Sequence, residues 1–189
     1  MSIRVFPVVG PTTICGAWGD VRSGGKIHKG VDICCPKMTP VLAVDDGVIH
    51  FGTDPLGGNV AILRTEDGDA YYEAHLASFN GDNLRDVVAG EVVGFADNTG
   101  NATLSPTHVH FEWWPDGQYT STTDPTAQLN AAVHYVHPPV VAPAGVSVGR
   151  ALAYGAAILA AAALASYAIH PKPARVRSRR LYAPFTRRA

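Results

Sequence analysis

His108-Val-His-Phe-Glu-Trp-Trp114 sets two imidazoles two residues apart, with an apolar residue between them. On a strand, residues i and i+2 project from one face, so both imidazoles point into one space while Val109 and Phe111 point into a core. Short apolar runs of the same kind precede it: Val41-Leu-Ala-Val44, Val48-Ile-His-Phe51, Asn59-Val-Ala-Ile-Leu63, Ala70-Tyr-Tyr-Glu-Ala-His-Leu76 and Glu91-Val-Val-Gly-Phe95. Turn signals separate these runs, and the pattern predicts strands. Asp46-Gly47 and Asp67-Gly68 stand where a tight reversal is expected, because glycine supplies the positive φ such turns need. No long 3.6-residue apolar period occurs before residue 146, so helices there are expected to be short or absent. The expected fold is a mainly β, largely antiparallel sheet domain over residues 1–136.

A chain of 189 residues has room for one principal domain. With 47% hydrophobic and 16% charged residues, it is neither a disordered nor a collagen-like chain. Residues 1–149 hold seven basic against sixteen acidic residues, an excess of nine negative charges that disfavours nucleic acid as this region's partner. The tail reverses the sign: seven Lys or Arg and no acidic residue lie between Lys172 and Arg188. Cys15, Cys34 and Cys35 lack the C-x-x-C spacing of a zinc ribbon or redox motif. They read as buried thiols in preference to a disulfide from Cys15 to Cys34 or Cys35, which would require an oxidising compartment.

Residues 137–149 are proline-rich and read as a linker. Ala151 to Ile169 are nineteen residues without a charge, about 28 Å as a helix, which matches a hydrocarbon core of about 30 Å. Residues 150–170 are therefore expected to form a C-terminal transmembrane helix. Residues 171–189 form a basic tail suited to anionic lipid or nucleic acid. The N-terminus shows no secretory signal pattern. The positive-inside tendency would put the basic tail in the cytoplasm and the acidic domain outside, which without an export signal is a tension that two placements answer. One is the virion membrane of a phage that carries the protein to the next host; the other is a bacterial envelope with the domain facing the cell wall.

Four histidines and one aspartate carry the chemistry. His28-Lys-Gly-Val-Asp32 places an imidazole and a carboxylate four apart around a glycine that can bend the backbone. His108 and His110 share a strand face, and His75 follows Glu73 by two residues, which places Glu73 on its face in a regular strand. Catalytic zinc takes three protein ligands from His and carboxylates and leaves a fourth position for water, a need that two His and one Asp meet. His50, His134, His137 and His170 stand in no such pattern. Of Trp113 and Trp114, one ring is expected in the core and the other along a groove.

These motifs occur together in order: His28-Lys-Gly-Val-Asp32, Thr39-Pro-Val-Leu-Ala-Val44, Ala74-His-Leu76, Asn98-Thr-Gly-Asn-Ala102 and His108-Val-His-Phe-Glu112, after an entry through Phe6-Pro-Val-Val-Gly-Pro11 and Trp18-Gly-Asp-Val-Arg-Ser-Gly-Gly25. Over residues 5 to about 115 the chain resembles the M23 family of zinc metallopeptidases, of the lysostaphin and LytM type. The resemblance implies a compact lysostaphin-like (duplicated hybrid motif) β-sheet domain with a substrate groove, and a zinc endopeptidase that hydrolyses peptide bonds of bacterial peptidoglycan. By position it assigns His28, Asp32 and His110 to zinc, and His75 and His108 to catalysis. Relatives often carry Tyr where this chain has Glu73, and Leu where it has Val109. Cys34 shares a face with Asp32 if that segment is extended, but is not read as a ligand. The rival reading is a non-catalytic peptidoglycan-binding or activator module on the same fold.

Overall fold

The structure, a computed structural model, describes residues 3–139. Nine strands carry the fold: β1 (Thr13–Gly16), β2 (Val31–Cys34), β3 (Pro40–Leu42), β4 (Gly47–Asp54), β5 (Gly58–Arg64), β6 (Ala70–Phe79), β7 (Arg85–Val87), β8 (Val92–Ala96) and β9 (His108–Trp114). Among the described residues the α-helix is a single short one, α1 (Thr126–Ala131), as the missing helical period predicts. Every strand pair is antiparallel, in the order β1-β2-β9-β6-β5-β4-β7, with β3 joined through β8 to β6.

Alternation along β5, β6 and β9 builds two apolar layers. Ala61, Leu63, Tyr71, Val109 and Phe111 pack into the main core with Ile33, Val41, Ile49 and Leu76. The residues between them, Val60, Ile62, Ala70, Tyr72, Ala74 and Trp114, form a second cluster on the opposite face. The central strands are thus buried on both sides, which fixes their register, since a one-residue slip would exchange the faces.

The register breaks at one place that matters. Along one edge, β6 pairs with β9 over residues 70–74 and with β8 from Leu76 onward. Against β5, Ala61 faces Glu73 while Asn59 faces Leu76, so β6 holds one extra residue there. His75 adopts φ 66°, a left-handed backbone uncommon outside glycine. Its amide donates to Gly57 O (2.7 Å), and its carbonyl accepts from the amide of Asp97 (3.0 Å). The bulge sits where the sheet forks from β9 to β8.

Several expectations need correction. Gly68 has the positive φ (96°) of the β5–β6 turn, but Gly47 opens β4 in extended conformation. Its value there is the missing Cβ, which would run into the carbonyl of Arg64 on β5. Cys15 and Cys34 form a disulfide across β1 and β2 rather than remaining buried thiols, and Cys35 alone is free. Antiparallel pairing of Thr13 with Cys34 brings the two cysteine Cα atoms to 5.8 Å, within bridging reach. Edge strands β1 and β7 are only four and three residues long and mostly solvent-facing, so no apolar run announces them. Among the described residues no helix is long and apolar enough to cross a membrane, and the expected span 150–170 and basic tail 171–189 lie outside them.

Candidate active site

The β2–β9 pairing assembles the centre. Asp32 lies opposite His110, and Cys34 opposite His108. Gly30 is required because a Cβ there would collide with Phe111 O and come within 2.9 Å of the His110 ring. The glycine in the His28–Asp32 motif therefore permits close approach of two strands. His28 is set by a small ladder: its amide donates to Asp20 O (2.8 Å), and its carbonyl accepts from the amide of Gly19 (2.9 Å).

His28 Nε2 and His110 Nδ1 each lie 3.0 Å from Asp32 Oδ1, and 2.9 Å from each other. The outer partners decide which ring nitrogens carry hydrogen. His28 Nδ1 is 2.6 Å from the carbonyl of Ala17, which only accepts, so Nδ1 donates and Nε2 keeps its lone pair. His110 Nε2 donates to Glu112 Oε1 (3.0 Å), which turns the Nδ1 lone pair inward. Trp114 Nε1 anchors the other Glu112 oxygen at 2.7 Å. Two nitrogen lone pairs and one carboxylate oxygen thus converge, an arrangement that demands positive charge between them.

The electrostatics agree. Burial opposes ionisation of Asp32, yet the adjoining imidazoles of His110 and His28, with the positive charge they can carry, hold its carboxyl far below the usual range. Burial would also lower His110, but Asp32 and Glu112 outweigh it and raise the imidazole to about 9. A proton on His110 therefore supplies the missing charge. A divalent cation would supply it better: the three donors mutually approach within 4.8 Å, and the edges of 2.9–3.0 Å are slightly tighter than the roughly 3.3 Å of a tetrahedron with bonds of about 2.0–2.1 Å. The imidazole–carboxylate donor set and its outer acceptors suit a metal of the zinc type.

Two more imidazoles flank this triad. His75 Nδ1 donates to Thr99 O and His108 Nδ1 to Pro106 O, both at 2.8 Å, so each ring turns Nε2 towards the site. Their ring centroids are 4.8 Å apart, and His108 Nε2 is 3.9 Å from Asp32 Oδ1. Burial, then the neighbouring His108, lowers His75 to about 4, which keeps it neutral at ordinary pH. All five predicted residues meet in one place.

Glu73 does not join them. The bulge turns His75 to the site face, while Glu73 lies opposite Ala61 and Phe111 on the core face, almost fully buried, and burial pushes its carboxyl well up. Trp114 is buried beside the site under Tyr119, and the more exposed Trp113 packs on the main core, so neither ring lines a groove beside the histidines. Spacing alone did not mark Glu112, Ala17, Thr99 or Pro106, although Glu112 follows His110 by two and shares its face. Backbone carbonyls carry no sequence signal.

Residues 26–122, just over half the chain, match the model of peptidase family M23. The chain is 37% identical over 111 residues to the DD-carboxypeptidase/endopeptidase Mpg of Neisseria meningitidis serogroup B, covering 57% of this chain and 25% of that protein. It is 30% identical over 115 residues to lysostaphin of Staphylococcus staphylolyticus, covering 57% of this chain and 23% of the relative. The chain spans about a quarter of the length of these curated relatives. The solved catalytic domain of lysostaphin from Staphylococcus simulans superposes with a TM-score of 0.57 at 28% identity, covering 64% of this chain and 92% of that one. Together with the converging His28, Asp32 and His110, this places the chain in peptidase family M23.

Proposed function

We propose that this protein is a zinc-dependent endopeptidase that hydrolyses peptide bonds of bacterial peptidoglycan, with His28, Asp32 and His110 as metal ligands and His75 and His108 as the catalytic pair. The observation that carries this reading is the inward-facing donor set, flanked by two imidazoles whose Nδ1 protons are committed to carbonyls. Bound zinc would polarise a carbonyl oxygen and lower the pKa of its water to about 7. The chain's own residues do the rest. His75, neutral at Nε2, accepts a proton from the attacking water. His108, across from it, hydrogen-bonds the developing oxyanion or delivers a proton to the leaving amine. Glu112 and Ala17 hold the ligand rings in the tautomers that leave their lone pairs inward.

The peptidoglycan substrate rests on the family, and the peptidase reaction on relatives named DD-carboxypeptidase/endopeptidase and glycyl-glycine endopeptidase. The rival reading, a module that binds peptidoglycan without cutting it, finds no support in a site whose five side chains are all in place. Tethering by residues 150–170, contact of the basic tail with anionic lipid or nucleic acid, and placement in a phage virion membrane or a bacterial envelope complete the proposal. The test is incubation of the zinc-loaded full chain with purified peptidoglycans of several chemotypes, followed by mass spectrometry. New peptide ends that vanish in His108→Ala support the reading. A chain that binds zinc and releases nothing from any chemotype refutes it.

A further inference from the structure

Arg22 stands in the exposed segment between β1 and β2, immediately before the 3-10 turn Ser23–Gly25. Its backbone is fixed by hydrogen bonds to Lys26 and Gly25, and the bridge between Val21 and Ile27 closes the same small ladder. The side chain returns over β1. Its Nη2 donates to Asp32 Oδ2 at 2.5 Å; its approach to His28 Nδ1 (2.8 Å) sets donor against donor, since that nitrogen gives its hydrogen to Ala17 O, so the bond it makes is the one to the carboxylate.

Asp32 is therefore divided. Oδ1 faces His28 Nε2 and His110 Nδ1, and Oδ2 faces the guanidinium. A surface ion pair would orient little, because exposed pairs are weak and mobile. This one differs at the carboxylate end, where the side chain is only 11% exposed. The place for it is also carved out: a Cβ on Gly16 would lie 2.5 Å from Asp32 Oδ2 and closer still to Arg22 Nη2. Gly16 has an ordinary φ, so the backbone does not require glycine here. The guanidinium–carboxylate pair does. The neighbouring Cys15, bridged to Cys34, fixes β1 at that position.

We infer that Arg22 is a positioning residue of the metal centre: it holds Oδ2 of Asp32 and so presents the carboxylate to the ion through Oδ1 alone. The inference rests on the proposed reading of His28, Asp32 and His110 as ligands. A carboxylate released from Arg22 can turn both oxygens inward and fill the coordination position that a hydrolytic centre leaves open. Arg suits the task because its planar fork fixes a carboxylate's orientation where Lys offers only a point charge.

The test uses the full chain with cobalt(II) as the probe, in wild type, Arg22→Gln, Arg22→Lys and Gly16→Ala. Chelator competition reads affinity, and visible absorbance per bound cobalt reads coordination number, which a purely structural role would not alter. Arg22→Gln is expected to weaken binding about 10- to 100-fold and to lower the absorbance as coordination expands, with Arg22→Lys between it and wild type. Gly16→Ala keeps both charged groups but displaces one, and is expected to reproduce the Arg22→Gln spectrum. Thermal melts with chelator present verify that each variant folds; should Arg22→Gln fail to fold, Gly16→Ala decides. Affinity within twofold of wild type together with an unchanged spectrum overturns the role of Arg22 and leaves the ligand assignment standing. A wild-type chain that takes up no cobalt overturns both.

Discussion

Breaking the Cys15–Cys34 bridge should cost stability in proportion to the loop it closes and should disturb the metal centre more than the sheet. The cysteines are 19 apart in sequence, and the loop between them contains two of the five site residues, His28 and Asp32, and two groups that orient them, Ala17 and Arg22. For a loop of about 20 residues the chain-entropy relation gives roughly 11 cal/mol/K, or about 3 kcal/mol at 25 °C. For a domain of this size that corresponds to a fall in Tm of about 10 °C. The assay is thermal unfolding by circular dichroism of the full chain, comparing Cys15→Ser/Cys34→Ser with wild type with and without reductant. The double variant and the reduced wild type should melt together, well below the oxidised protein. Metal uptake should weaken as well, because an unbridged β1 no longer fixes Ala17 O against His28 Nδ1 (2.6 Å). A Tm change below about 3 °C with unaltered zinc affinity would refute both halves.

Glu112→Ala should lower zinc affinity about 10- to 100-fold by freeing the His110 ring, and should destabilise the fold by about 1–3 kcal/mol because the buried Trp114 Nε1 loses its acceptor; competition titration and denaturant melts read the two effects. Burial pushes the Glu73 carboxyl well up, so the unfolded chain releases that proton more readily, and the group costs stability as pH rises above its ordinary range. Glu73→Gln should therefore gain stability relative to wild type with rising pH, and parallel pH–stability curves would count against a buried carboxyl. His110 titrates near 9 in the metal-free protein, so its proton stabilises that form fully below about pH 6.5 and is lost as pH rises through about 9. Zinc must displace the same proton, so its affinity should rise about tenfold per pH unit up to that point, and pH-independent binding would exclude the competition. Burial pushes the Cys35 thiol up to about 11, so alkylation at pH 8 should run about a hundredfold slower than for an unperturbed thiol; rapid single-site labelling would place Cys35 in solvent.

What was legible in the sequence follows from how far each signal travels along the chain. The apolar runs that became β3, β4, β5, β6, β8 and β9 announce themselves because their side chains meet a core every second residue. β1 and β7 do not, because they are short edges held by a disulfide and by hydrogen bonds to β4. The five site residues are visible because imidazole and carboxylate are rare in such runs. The groups that orient them are not, since Ala17, Thr99 and Pro106 act through carbonyls that every residue possesses. The thiols show the limit of composition: nothing local distinguishes Cys34, bridged across a strand pair, from Cys35 beside it, packed on the core.

The misplacement of Glu73 has the most instructive cause. Regular alternation from Tyr72 and Ala74, both on the site face, would send His75 into the core and leave a gap beside His108. One extra residue at the fork of the sheet exchanges those faces from that point onward, so that His75 reaches the site while Leu76 returns to the core. The cost is a left-handed histidine, held by its amide on Gly57 and its carbonyl on Asp97. Glu73, two residues earlier and before the exchange, stays on the core side. The fork places the bulge there: β9 must leave β6 after Ala74 so that His108 and His110 can face the β2 carboxylate, and β8 takes over the edge only from Leu76. Between the two partners β6 has one residue whose edge is unpaired by either strand, and that residue is the one whose ring completes the site.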